Sequence, residues 1–217
     1  MMKYKVILFD LDGTISDPKV GITKSVQFAL SKMGIEENNL DILECFIGPP
    51  LQVSFKDYYS FNPNETLTAI EYYRDRFKLT GMYENTLYEG IPTLLEDLRK
   101  QGYKLVIATS KPTVFSEEIV RYFNLEHFFD LNVGSNLDGT RSSKAEIIQY
   151  IVERFNNYSL KDFIMIGDRK YDIIGANTIG IDSIGVTYGY GAEKELQDAK
   201  PTHILKSVKD LEVFFHN

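Results

Sequence analysis

The sequence predicts an α/β fold, a doubly wound, mainly parallel sheet, with an α-helical subdomain inserted after the first strand. Three observations carry this. The apolar runs Val6-Ile7-Leu8-Phe9, Leu105-Val106-Ile107-Ala108 and Phe163-Ile164-Met165-Ile166 are short, continuous and cut off by polar or glycine residues. Such runs read as strands buried on both faces, as in a parallel sheet covered by helices. Over residues 90–217 strand-like and helix-like segments alternate, the pattern of a doubly wound sheet. Residues 17–82 break that alternation with no strand-like run, a stretch far longer than a crossover needs.

In chain order, the first strand is 6–9. The inserted stretch reads as helices at about 20–33, 39–46, 50–60 and 64–80. Ile91 to Gln101 carries Leu94, Leu95 and Leu98 on one face and stops before Gly102, a natural helix end. Pro112 to Phe123 opens with proline near its first turn, where the missing N–H costs nothing. Ser143 to Phe155 repeats Ile147, Ile148, Ile151, Val152 and Phe155 at helical spacing, and Tyr171 to Ile179 is closed by Gly180. Weaker strands fall at Leu131–Val133, Ser183–Val186 and His203–Leu205. The domain reading is a core of residues 1–16 and 83–217 with an inserted helical domain of residues 17–82.

Charge excludes some functions. Twenty-four Lys and Arg against 31 Asp and Glu give a net charge of -7 over 217 residues, which argues against nucleic-acid polymers and anionic membranes as partners. A small anionic substrate is still allowed, because a pocket can be locally positive. One cysteine, Cys45, permits no intrachain disulfide and no cysteine-based zinc site, and it is expected to be a small buried hydrophobe. His127, His203 and His216 are scattered. No apolar run exceeds four residues and the N-terminus has no secretory pattern, so the expectation is a cytoplasmic protein without a membrane span.

Four polar clusters follow predicted strands, and in open parallel sheets ligands bind at the carboxyl ends of strands. The first is Asp10-Leu11-Asp12-Gly13-Thr14. Two carboxylates at i and i+2 can serve as nucleophile and general acid/base; alone the segment would read as a surface turn. It is no EF-hand loop, since Ile15 and Gly21 stand where that loop needs Gly and Glu. The second, Thr109-Ser110-Lys111-Pro112, puts a hydroxyl at a strand end beside a helix N-terminus, suited to an oxyanion but alone an ordinary cap. The third is Lys144, at a helix start where a cation is unfavourable; a lone lysine is otherwise a solvated one. The fourth is Gly167-Asp168-Arg169-Lys170-Tyr171-Asp172, whose two carboxylates suit Mg2+, against the plainer reading of one capping and one exposed aspartate.

Together, in this order, the clusters resemble the haloacid dehalogenase superfamily in its phosphatase branch. Asp10-Leu11-Asp12-Gly13-Thr14 is similar to the first motif, Thr109 to the second, Lys144 to the third, and Asp168 with Asp172 to the fourth. Leu87-Tyr88-Glu89-Gly90-Ile91, Thr109-Ser110-Lys111-Pro112 and Gly185-Val186-Thr187-Tyr188-Gly189-Tyr190-Gly191 look like the phosphoglycolate phosphatase-like branch. The last segment holds a bare Gly-x-Gly without a third glycine, so no dinucleotide site is read there.

The resemblance implies a Rossmann-like core with a helical cap and a Mg2+-dependent phosphatase. Asp10 would be the nucleophile and Asp12 the general acid/base. Thr109, Ser110 and Lys144 would bind the phosphoryl group. Asp10, the Asp12 backbone carbonyl, Asp168 and, through water or in support, Asp172 would hold the metal. Gly48 and Pro49, in the cap turn Ile47-Gly48-Pro49-Pro50, and Arg169, where many relatives carry a small residue, are expected to select substrate. Cap aromatics such as Phe46, Phe55, Tyr58, Tyr59, Tyr72 and Phe77 are expected to form mostly the cap's own core. The expected partner is a small phosphorylated metabolite, phosphoglycolate-like or nucleotide-like, and the protein is expected to be a monomer or small homo-oligomer. A phosphomutase is disfavoured by Thr14 where mutases usually have valine, and a dehalogenase by the presence of Asp12. A pyrophosphatase and a non-catalytic phospho-ligand-binding module are the further alternatives. Neither a Gly-x-Ser-x-Gly elbow nor a P-loop occurs.

Overall fold

The structure, a computed structural model, describes residues 3–216. The chain divides into two compact units, residues 1–17 with 87–217, and residues 18–86. The second boundary falls a few residues after the expected 82/83. Residues 83–86 stay with the inserted unit because the Glu84 carbonyl accepts from Gly21 N at 3.0 Å and its carboxylate pairs with Arg76 at 2.8 Å.

The larger unit is built on six parallel strands: β1 (Val6–Phe9), β2 (Lys104–Pro112), β3 (Leu131–Ser135), β4 (Phe163–Gly167), β5 (Asp182–Val186) and β6 (His203–Leu205). Their order is β3-β2-β1-β4-β5-β6. The order reverses between β1 and β4, and the crevice at such a switch point is where open α/β sheets bind ligands. β1 is central: Val6 lies opposite Lys104 on one side and Phe163 on the other, and all four of its residues are fully buried. One sheet face carries Val6, Leu8, Val106, Ala108, Val133, Phe163 and Met165, packed on Ile147, Ile148 and Ile151 of α6 (Lys144–Arg154) and Ala176 of α7 (Lys170–Ile179). That packing fixes the starts of α6 and α7, and hence Lys144 and Asp172, at the carboxyl edge of the sheet.

The remaining core helices are α4 (Ile91–Lys100), α5 (Thr113–Tyr122), α8 (Glu193–Ala199) and α9 (Val208–His216). α4 buries Ile91, Leu94, Leu95 and Leu98 and packs against α9, which buries Val208, Leu211 and Phe215. β2 runs beyond its apolar stretch to Pro112, with a register shift against β3 between Ala108 and Pro112. α5 therefore begins at Thr113, one residue after the expected start. A register shift of this kind re-aims the side chains it carries.

The inserted unit holds α1 (Lys19–Lys32), a 3-10 helix at Leu40–Phe46, α2 (Leu51–Tyr59) and α3 (Pro63–Leu79). α3 opens on a capping box: Asn62 accepts from Glu65 N at 3.0 Å and the Glu65 carboxylate accepts from Asn62 N at 2.9 Å, with Pro63 just inside. Phe46 meets Phe55 edge-on at 4.9 Å, and both are buried, as is Phe77; Tyr58 is exposed. Cys45 is half-buried, not fully buried as expected, because only Leu43 and Phe46 of its short helix turn inward. No described helix is long and apolar enough to cross a membrane.

Candidate active site

The site is assembled from strand ends within the larger unit. Asp10 follows β1 and continues its ladder, its N–H donating to Ile166 O at 2.9 Å. The chain then turns: Ile15 and Ser16 N–H donate to Leu11 O, each at 3.0 Å, and Gly13 N–H to Ser16 O at 2.8 Å. Gly13 has φ 81°, and a Cβ there would come within 2.6 Å of Asp168 Cγ, so only glycine fits both the turn and the neighbour. Asp10 and Asp12 are both buried.

Lys144, the first residue of α6, reaches across the sheet edge. Its Nζ donates to Asp10 Oδ1 at 2.9 Å and to Ala108 O at 2.7 Å, and pairs with Asp172 Oδ1 at 2.7 Å. Ser143 caps the same helix with Glu146 in a capping box, so the lysine at its N-terminus is held by carboxylates elsewhere, not by the helix. Thr109 is 2% exposed and Ser110 half-buried at the end of β2. Asp168 follows β4, and its Oδ2 accepts from Tyr190 N at 2.7 Å. Asp172, on the first turn of α7, takes Arg169 N–H on Oδ2 at 3.1 Å and Lys144 on Oδ1. It thus caps α7 and faces the site at once.

The electrostatics follow from burial. Burial raises the Asp168 carboxyl well above the usual carboxylate range, with Asp10 and Asp172 pushing the same way. Burial pushes Asp172 up to about 6, against the opposing pull of Lys144. Burial also raises Asp12, with Lys111 opposing. For Lys144 burial alone would disfavour the charge, but Asp10 and Asp172 outweigh it and hold the ammonium above its ordinary pKa. Crowded carboxylates with raised pKa values are short of positive charge. Oxygens of Asp10, Asp168 and Asp172 lie within 4.8 Å of one another, and the buried Asp168 Oδ1 has no hydrogen-bond partner among the described residues. These residues fit a metal site, and their all-oxygen donor set suits a hard divalent cation.

Asp10, Asp12, Thr109, Ser110, Lys144, Asp168 and Asp172 are therefore brought to one edge of the sheet. Arg169 is beside them, but its guanidinium is turned to Glu195 on α8, Nε to Oε1 at 2.9 Å. Gly48, with φ 101°, and Pro49 lie in the turn before α2 of the inserted unit.

Two features escaped the sequence reading. Lys111 sits two residues beyond Thr109 with its side chain 6% exposed and Nζ 2.8 Å from Asp12 Oδ2. The bare Gly-x-Gly of Gly189 and Gly191 packs on Asp168: a Cβ at Gly189 would come within 2.5 Å of Asp168 Cβ, and one at Gly191 within 3.0 Å of its backbone carbonyl carbon. Those glycines let the loop close over Asp168 and deliver Tyr190 N to it.

The profile of the haloacid dehalogenase-like hydrolases matches residues 7–186. The chain belongs to that family. It is 48% identical to a 5'-nucleotidase of Pseudomonas aeruginosa, over 93% of this chain and 91% of the relative. It is 34% identical to the tyrosine-protein kinase PtkA of Mycobacterium tuberculosis, over 86% of this chain and 63% of that one. A phosphoglycolate phosphatase of Colwellia psychrerythraea matches at 26% over 97% and 96% of the two chains. Among solved structures, a predicted phosphatase of Clostridium acetobutylicum superposes with a TM-score of 0.94 at 49% identity, covering 97% of each chain. The protein is an enzyme of this family, of its phosphatase type.

Proposed function

We propose that the protein is a Mg2+-dependent phosphatase that hydrolyses small phosphate monoesters through an aspartyl-phosphate on Asp10, with nucleoside 5'-monophosphates as its substrate class. The observation that carries this reading is the buried Asp10–Lys144 pair, 2.9 Å apart at the end of β1, with buried Asp12 two residues on. The nucleotide preference is supported by the 48% identity to a 5'-nucleotidase, well above the 26% to a phosphoglycolate phosphatase.

An Asp10 carboxylate oxygen attacks phosphorus and forms a P–O bond. The ester P–O bond breaks, its electron pair goes to the leaving oxygen, and that oxygen takes a proton from Asp12. Water then attacks the aspartyl-phosphate, giving its proton to Asp12, and the Asp10–phosphorus bond breaks to return the carboxylate and release phosphate. One difficult displacement becomes two easier ones. Lys144, Thr109 and the Ser110 N–H bind phosphoryl oxygens, so that positioning and fixed charge do most of the work. Mg2+, held by Asp10, Asp168 and the Asp12 carbonyl with Asp172 in support, would supply positive charge against the phosphoryl oxygens. Gly48 and Pro49 are the proposed substrate-selecting residues of the inserted unit; Arg169, engaged by Glu195, would act on selection through charge. A chain with a single cysteine suits a reducing compartment, and the cytoplasm is the compartment we propose.

The test is phosphate release with Mg2+ from nucleoside 5'-monophosphates, phosphoglycolate, pyrophosphate and sugar phosphates, compared by kcat/KM. The highest value is expected for a nucleoside monophosphate, with activity lost in chelator. Preference for phosphoglycolate would overturn the substrate class, and full activity in excess chelator the metal dependence. Null turnover across the panel would overturn the phosphatase reading itself.

A further inference from the structure

Two lysines are buried in this site, and the mechanism above uses only one. Lys144 serves Asp10. Lys111 stands in the matching relation to Asp12, Nζ to Oδ2 at 2.8 Å, with both side chains nearly sealed from solvent, 6% and 10% exposed. Its backbone is fixed as tightly. Lys111 N–H donates to Thr109 Oγ1 at 3.3 Å. Gly134 of β3 lies so close behind that a Cβ there would come within 2.8 Å of Thr113 N and 3.1 Å of the Pro112 carbonyl carbon. The register shift of β2 falls at this point.

The two oxygens of Asp12 are unequal. Oδ2 is held by Lys111, while Oδ1 is buried and has no hydrogen-bond partner among the described residues. A general acid needs this division: one oxygen anchored so the carboxyl keeps one orientation, the other uncommitted to any protein group and so available to carry a proton to substrate. Misplacing such a group by an ångström is costly in rate.

We propose that Lys111 is a positioning residue for the general acid/base: by gripping Asp12 Oδ2 it leaves Oδ1 as the proton-carrying oxygen that faces the leaving group. The proposal rests on the phosphatase reading above. In the first step the Oδ1–H bond breaks and its proton passes to the leaving oxygen as the P–O bond cleaves; Lys111 neither gains nor loses a proton.

The experiment compares two substrates by kcat/KM, which reports formation of the aspartyl-phosphate. The nucleoside of a 5'-monophosphate would depart as an alkoxide and needs the acid; the p-nitrophenolate of p-nitrophenyl phosphate is stable and hardly does. General acid catalysis is worth about 10²–10⁴-fold. Lys111→Met is expected to lose about 100-fold on the nucleotide and less than about threefold on the aryl ester, the same split as Asp12→Ala. Lys111→Arg, which keeps the charge, is expected to show a smaller split in the same sense.

Equal losses on both substrates, or a raised KM with kcat unchanged, would assign Lys111 to phosphate binding or to packing and overturn the proposal. A uniform loss in the Arg variant overturns it even if the Met variant does not fold. Wild-type protein that releases phosphate from neither substrate fails the phosphatase reading instead, so the two failures are distinguishable.

Discussion

Removing Lys144 strikes a buried charge cluster at the carboxyl edge of the sheet. Its Nζ touches Asp10 Oδ1 at 2.9 Å, Asp172 Oδ1 at 2.7 Å and Ala108 O at 2.7 Å, and its side chain is 3% exposed. Lys144→Met keeps the volume and removes the charge, leaving two buried carboxylates without their cation. Breaking a buried ion pair by deleting one partner costs about 3–5 kcal/mol, chiefly because the other charge stays buried. For a chain of this size about 2–4 °C of melting temperature corresponds to each kcal/mol, so the metal-free variant should melt roughly 6–20 °C below wild type. Asp172→Asn in the same background removes one stranded charge and should recover part of the loss. The coupling read from the four-protein cycle should be about 1–3 kcal/mol. Thermal and urea unfolding in chelator, followed by circular dichroism, measure it. A Lys144→Met protein as stable as wild type, or purely additive effects of the two substitutions, would refute the reasoning that the lysine offsets the carboxylates.

Two further outcomes are expected. Gly189→Ala should lose phosphatase activity while remaining folded, because its Cβ would come within 2.5 Å of Asp168 Cβ and displace that carboxylate; activity within about twofold of wild type would contradict the packing role, since a displacement of about 1 Å is already costly in rate. Asp162 accepts from Ser159 Oγ at 2.7 Å and Ser159 N at 2.8 Å and pairs with Lys5 at 3.0 Å, which lowers its carboxyl to about 2 from 3.8. A carboxyl depressed in the folded state stabilises above its unfolded pKa and loses that contribution as pH falls through the folded one. Asp162→Asn should therefore be less stable at neutral pH and should flatten the stability profile between about pH 4 and pH 2; an unchanged profile in acid titration would count against it.

The sheet was readable because β1, β2 and β4 are covered on both sides, and double burial writes itself as an unbroken apolar run. The same logic explains what was missed. α8 has seven residues and buries one, Leu196, so it leaves almost no periodic trace. α9 buries Val208, Leu211 and Phe215, a stripe too short to stand out beside a terminus. At the site, Asp10, Asp12, Asp168 and Asp172 were legible only together: singly each pair reads as a turn or a helix cap, but two pairs after two buried strands, with Thr109 and Lys144 between them in the chain, form one pattern. Lys111 was not, because its partner Asp12 lies about a hundred residues earlier, in the turn after β1, and a lysine before Pro112 reads as part of a helix start. Gly189 and Gly191 looked like a fragment of a nucleotide motif. Their use is steric, and only the fold shows that Asp168 fills the space a side chain would take. The domain boundary shifted for a similar reason: Glu84 is tied to Gly21 and Arg76, contacts that no local pattern announces.

The central claim is that Asp10 carries the phosphoryl group between two steps. Asp12→Ala removes the base for the second step and should let the intermediate accumulate on a substrate with a good leaving group. Acid-quenching that variant during turnover of p-nitrophenyl phosphate, then mapping the protein by mass spectrometry, tests the claim most directly. A phosphoryl adduct on Asp10 that is absent from Asp10→Asn is the predicted result. Stoichiometric phosphate release with no adduct, or an adduct on another residue, would contradict the account.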